Sequence, residues 1–141
     1  MAVAFYSADV KFKLPQQTKL KKFIANNYYT ATGKKLYLDY VFCSDEYLLE
    51  LNRRHLGHDY YTDIITFDLS DSSKKTIAEI YISIDRVRDN ATKLKQALNE
   101  ELCRVLFHGV LHLAGYADHS KKEKEQMRKI EEEWMMAYNL F

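Results

Sequence analysis

Residues 98–119 read LNEELCRVLFHGVLHLAGYADH. Leu98, Leu102, Val105, Leu106, Gly109 and Leu113 recur at three- and four-residue steps, the period of a helix with one apolar face. His108 and His112 stand at i and i+4 on that helix, at the border of the apolar stripe. Side chains so spaced project from one face a turn apart, so both imidazoles can reach one metal ion from the rim of a core. Gly115 fits the left-handed position just past a helix end, and the turn it permits can bring Asp118 or His119 back towards the same point. Gly109 costs a helix interior roughly 1 kcal/mol relative to alanine. A glycine tolerated there implies that something approaches the helix closely.

Working outward, Ser120 and Glu123 form an S-x-x-E capping box. A last helix therefore starts there, burying Met127, Ile130, Trp134 and Tyr138, and Ala117 to His119 lie in a loop between two helices. Upstream, KKLYLDYVFC places Leu36, Leu38, Tyr40 and Phe42 on one face with the period of two that marks a strand. Ser44 follows as a cap, with Asp45 and Glu46 in the first turn of a helix that closes at Gly57. The short apolar DIITFDLS and the alternating TIAEIYISID, joined by DSSKK, predict a hairpin. VAFYSADV is a first strand, and Pro15 opens a helix carrying Leu20, Phe23, Ile24 and Tyr28 that ends near Gly33. The expected order is β, α, β, α, β, β, α, α. It makes residues 1–141 a single α+β domain, a mixed β-sheet packed with helices, with the metal site at the end of a core helix.

Composition narrows the function classes. A chain of 141 residues suffices for one core. No apolar run approaches the roughly 18 residues of a membrane span, and the N-terminus lacks the basic and then apolar pattern of a signal peptide, so we expect a cytoplasmic protein with no membrane partner. Cys43 and Cys103 lack metal-ligand spacing and read as reduced core residues. The net charge of +1 does not mark a dedicated nucleic-acid binder. Basic residues nevertheless come in pairs, Lys21 with Lys22, Lys34 with Lys35, Arg53 with Arg54, Lys74 with Lys75 and Lys121 with Lys122. Most such pairs belong to solvated faces.

The motif HGVLHLAGYADH, with the upstream segment ELNRRHLGHDYYTDIITFD, resembles the YbeY family of metal-dependent endoribonucleases, whose signature runs H-G-x-L-H-L-x-G-Y-D-H. The likeness extends from about Val41 to the C-terminal helix. It implies a single-strand-specific endoribonuclease of ribosomal RNA maturation, acting at the 3′ end of the small-subunit RNA, and of ribosome quality control. Precursor ribosomal RNA and the ribosome or its proteins are the implied partners, and one Zn2+ the implied cofactor. His108 and His112 carry over as metal ligands and catalytic residues. Aligned without a gap, the third family histidine falls on Asp118; with one inserted residue, His119 takes its place. Loop reach favours Asp118 and ligand type favours His119, both being legitimate for zinc; we expect Asp118, with His119 the alternative, and the other residue behind the ligands or at the surface.

Two departures concern the substrate. The family pattern L-N-x-x-x-R-x-x-D places an arginine where this chain has Leu56, so Arg53 or Arg54 substitutes for it or the RNA contact differs. Residues 61–67, YTDIITF, match P-T-D-V-L-S-F except at Tyr61, which makes Asp63 a further candidate in the cleft, beside the alternative that Thr62 and Asp63 are turn chemistry. A peptidase would need H-E-x-x-H, and Gly109 stands where its glutamate base belongs. The remaining rival is a non-catalytic metal-binding factor associated with ribosome assembly. A structural zinc site would normally have four protein ligands, which tells against it.

Overall fold

The computed structural model describes residues 2–140. In chain order its elements are β1 (Ala2–Ser7), α1 (Gln17–Thr32), β2 (Lys35–Cys43), α2 (Asp45–Leu56), β3 (Ile64–Asp68), β4 (Lys75–Ser83), α3 (Ile84–Lys93), α4 (Leu98–Leu113) and α5 (Lys121–Leu140). The strands form one mixed sheet in the order β1-β2-β4-β3, with β1, β2 and β4 parallel and β3 antiparallel to β4. The expected mixed sheet packed with helices is the observed one.

Register explains the two faces. Leu36, Leu38, Tyr40 and Phe42 of β2 lie opposite Thr76, Ala78, Ile80 and Ile82 of β4, and all eight are buried. Side chains two apart share a face, so these rows make a continuous apolar floor. Leu20, Phe23, Ile24 and Tyr28 of α1 and Leu102, Val105, Leu106 and Val110 of α4 close over it in the main core. On the opposite face Leu48 of α2 packs with Cys43 and Ile65 in a smaller cluster.

Local signals set most boundaries. Ser44 and Ser83 cap α2 and α3 by accepting hydrogen bonds from the backbone N–H of Tyr47 and Arg86, and Gly57 ends α2 in the left-handed conformation. Two expectations are corrected. The first helix begins at Gln17 rather than Pro15, because Gln16 itself is left-handed at φ 56°. The alternation read through Asp85 stops at Ser83, and a separate helix, α3, follows with Ile84, Val87 and Ala91 buried. Ile84 continues the strand's apolar phase, which hides the switch. Ser83 makes it: its hydroxyl caps α3 while donating to Asp45 Oδ1 at 2.6 Å, and Asp85 accepts from the Asp45 backbone N–H at 2.9 Å.

Helix α4 is buried more widely than one stripe. Phe107 and Leu111 are buried alongside Val105, Leu106 and Val110, because α1, α3, α5 and the sheet all pack against it. Two tyrosines pin its backbone: Tyr40 donates to the Leu106 carbonyl at 2.8 Å, and Tyr28 reaches the Leu113 carbonyl at 3.3 Å. These anchors bracket the turn that carries the histidines. Among the described residues no helix is long and apolar enough to cross a membrane.

Candidate metal centre

His108 and His112 lie at the rim of the core, with side chains 19% and 31% exposed, so a ligand can be reached from solvent without leaving the packed helix. Their ring centroids are 4.5 Å apart and their Nε2 atoms 3.0 Å apart. Past the helix end Gly115 takes φ +105°, a conformation that L side chains rarely adopt, and its N–H bonds to the His112 carbonyl. The chain then turns back. Asp118 Oδ2 arrives 3.4 Å from His108 Nε2 and 3.3 Å from His112 Nε2. The far end of the loop is held by the expected capping box: Ser120 N–H donates to Glu123 Oε1 at 2.8 Å and Glu123 N–H donates to Ser120 Oγ at 3.1 Å. The hydrogen bond from the Ser120 N–H holds the Glu123 carboxyl below its usual pKa.

The three atoms suit a small divalent cation. Tetrahedral bonds of ~2.0–2.1 Å set donor atoms ~3.3–3.4 Å apart, and the separations here are 3.0, 3.3 and 3.4 Å. Two imidazoles and one carboxylate leave a fourth position for water or substrate. These are also the three residues that come together as a candidate metal cluster, whereas His119, the alternative third ligand, is exposed and outside it.

Behind the cluster lies a buried charge network that the sequence reading missed. Glu131 of α5, 3% exposed, brings Oε2 to 2.5 Å from His108 Nδ1. Its other oxygen accepts from Arg104 Nη1 at 3.3 Å, and Arg104 makes a two-bond fork onto the fully buried Glu101, at 2.8 and 2.5 Å. The Glu101 hydrogen bond raises the Arg104 pKa further above its ordinary value against the opposing effect of burial. A carboxylate on the far ring nitrogen orients a ligating histidine and raises its basicity. The signal was present in the sequence: Glu131 falls in phase with Met127, Trp134 and Tyr138 on the buried side of α5.

The other candidates lie elsewhere. Arg53 bonds Asp59 at 2.5 Å and Arg54 bonds Glu50 at 2.8 Å, both in exposed pairs that are individually weak. Neither is paired with the histidine cluster. The carbonyl of Asp63 accepts from Ser83 N–H at 3.0 Å, and Thr62 Oγ1 reaches the Ile64 carbonyl at 3.4 Å, so this pair shapes the entry into β3. Gly109 faces the sheet: a Cβ there would lie 2.9 Å from Ile80 Cδ1 and 3.0 Å from Ile64 Cδ1. The close approach inferred from this glycine is therefore that of the sheet floor, and no glutamate base could occupy the position without displacing it. Cys43 and Cys103 are free, and burial pushes their thiols up to about 12 and about 11, as core cysteines rather than metal ligands.

Comparison with known proteins gives the same direction. The family model described as Endoribonuclease YbeY matches residues 3–139. A Cytophaga hutchinsonii protein named Endoribonuclease YbeY is 47% identical over 92% of this chain and 91% of its own length. An Amoebophilus asiaticus protein of the same name is 41% identical over 96% and 92%. The solution structure of a Thermotoga maritima protein superposes with a TM-score of 0.63 at 26% identity, covering 98% of this chain and 92% of that one.

Proposed function

The chain belongs to the YbeY family, and we propose that it is an endoribonuclease that cleaves single-stranded RNA during ribosomal RNA maturation, using one zinc ion held by His108, His112 and Asp118. The observation that carries this reading is the triangle of donor atoms, 3.0, 3.3 and 3.4 Å on its edges, built at the rim of a core helix and open to solvent. A zinc ion held by these residues would bring the pKa of a bound water down towards neutrality and would polarise a phosphoryl oxygen.

The chain's own residues divide the remaining work. The buried carboxylate of Glu131 holds Nδ1 of His108, which turns Nε2 outward to the cluster. Arg104 neutralises Glu131 and Glu101 together, so the histidine is positioned without an unpaired charge in the core. Asp118 supplies the negative ligand from a loop fixed at both ends, by the Gly115 turn and the Ser120 cap. Gly109 keeps the helix pressed on Ile80 and Ile64 and leaves no base where a zinc peptidase needs one.

Metal content and cleavage of single-stranded RNA by wild type, His108→Ala and His112→Ala test the proposal. We expect about one zinc per chain and cleavage by the wild type, with both lost in each variant while the far-UV dichroism is kept. Cleavage that persists in either variant overturns the site. Zinc and RNA binding without cleavage by the wild type would favour the non-catalytic assembly factor instead.

A further inference from the structure

We propose that Lys124 and Arg128 on α5 form a phosphate-binding subsite that holds the RNA backbone beside the metal cluster. The inference rests on the endoribonuclease reading. A surface cavity of about 200 Å³ is lined by His108 and Asp118 together with Lys124, Arg128, Met127, Arg104 and Glu131. Lys124 and Arg128 are one helical turn apart on the same face of α5, the spacing at which two side chains reach one ligand. Met127, 2% exposed, lines the same cavity and ties this turn of α5 to the core.

Position and charge together single out these two cations: they line the cavity beside His108 and Asp118, whereas the arginines nearest the other candidate contacts are already paired. Arg104 is consumed by Glu101 and Glu131, Arg53 by Asp59 and Glu50, and Arg54 by Glu50. Among the described residues Lys124 and Arg128 have no carboxylate partner within ion-pairing distance. Asp118, Glu101 and Glu131 carry three negative charges and Arg104 one positive, so a divalent cation brings that set to neutrality. Lys124 and Arg128 then remain as uncompensated positive charge in the cavity, suited to the anionic phosphodiester of a single strand. Lysine and arginine contacts to phosphate supply most non-specific affinity for nucleic acid and release counterions as they form. A chain of net charge +1 can therefore bind RNA locally without being basic overall.

The test is kcat and KM for a fluorescent single-stranded oligoribonucleotide over a salt series, with the zinc-loaded wild type, Lys124→Gln/Arg128→Gln, and Lys21→Gln/Lys22→Gln on α1 as a control that removes equal charge far from the cavity. We expect the Lys124/Arg128 variant to keep its zinc and its kcat, to raise KM roughly tenfold near physiological salt, and to flatten the slope of log KM against log salt by about 1.4, the value for two lost phosphate contacts on a single strand. A salt series that superposes on that of the wild type overturns the subsite. An equal loss in the Lys21/Lys22 control overturns it too, by making the effect one of overall charge. A wild type that loads zinc but neither cleaves nor binds the oligonucleotide overturns the endoribonuclease reading itself, which is a distinct result.

Discussion

Glu131 Oε2 lies 2.5 Å from Nδ1 of His108, so the ring nitrogen turned away from His112 and Asp118 is gripped by a carboxylate buried in the helix interface. Glu131→Gln keeps the shape of the side chain and loses its charge. Removal of such an outer partner weakens metal binding ~10–100-fold. We expect that loss in zinc competition titrations, with the thermal transition of the metal-free protein little changed. Unaltered zinc affinity would show that Glu131 is only a core ion-pair partner.

Asp118 and His119 are adjacent in sequence and unequal in space. Asp118→Ala removes one corner of the donor triangle, whereas His119 is exposed and outside it. Elemental analysis should find zinc lost from Asp118→Ala and kept by His119→Ala. The reverse pattern would assign the third ligand to His119.

Arg104 bridges Glu101 and Glu131, two carboxylates with almost no solvent access. Arg104→Ala leaves both buried without a counter-charge, and breaking a buried ion pair from one side costs about 3–5 kcal/mol. Denaturant unfolding should show that loss. It should shrink when Glu101→Gln is combined with Arg104→Gln, because only one of the two buried carboxylates is then left without Arg104. Equal losses in the two backgrounds would mean that charge is not the cause.

Gly109 sits where the α4 backbone meets the sheet. A methyl group there would press on Ile80 Cδ1 and Ile64 Cδ1, both of which are ends of flexible side chains. Crowding of this kind costs about 1–3 kcal/mol, against about 1 kcal/mol gained in helix propensity. Gly109→Ala should therefore shift stability only slightly downward, and Gly109→Glu should destabilise strongly without adding peptidase activity. A stable Gly109→Glu variant would refute the packing role.

How far the site can be read in sequence follows from the range of each interaction. His108 and His112 were legible because a helix places i and i+4 together whatever surrounds it. Loop reach pointed to Asp118 over His119, but no local rule fixes that choice, because both follow the same glycine turn and differ only in where the loop finally points. Glu131 escaped because its partner is 23 residues away, and α3 escaped because Ile84 keeps the phase of the strand before it.

By itself the sequence determined what a few neighbouring residues can enforce: the strand alternation of Leu36 to Phe42, the caps at Ser44 and Ser120, the end of α2 at Gly57 and the pairing of two histidines on one helical face. These depend on backbone hydrogen bonds and side-chain periods that act within about one turn of a helix or one strand. Only the tertiary structure decided which loop residue meets the histidines, which carboxylate holds His108, which cations are left unpaired beside the cluster, and that Gly109 serves the sheet. Those outcomes depend on how α4 and α5 pack over the floor of β2 and β4, and packing joins residues that no local rule connects.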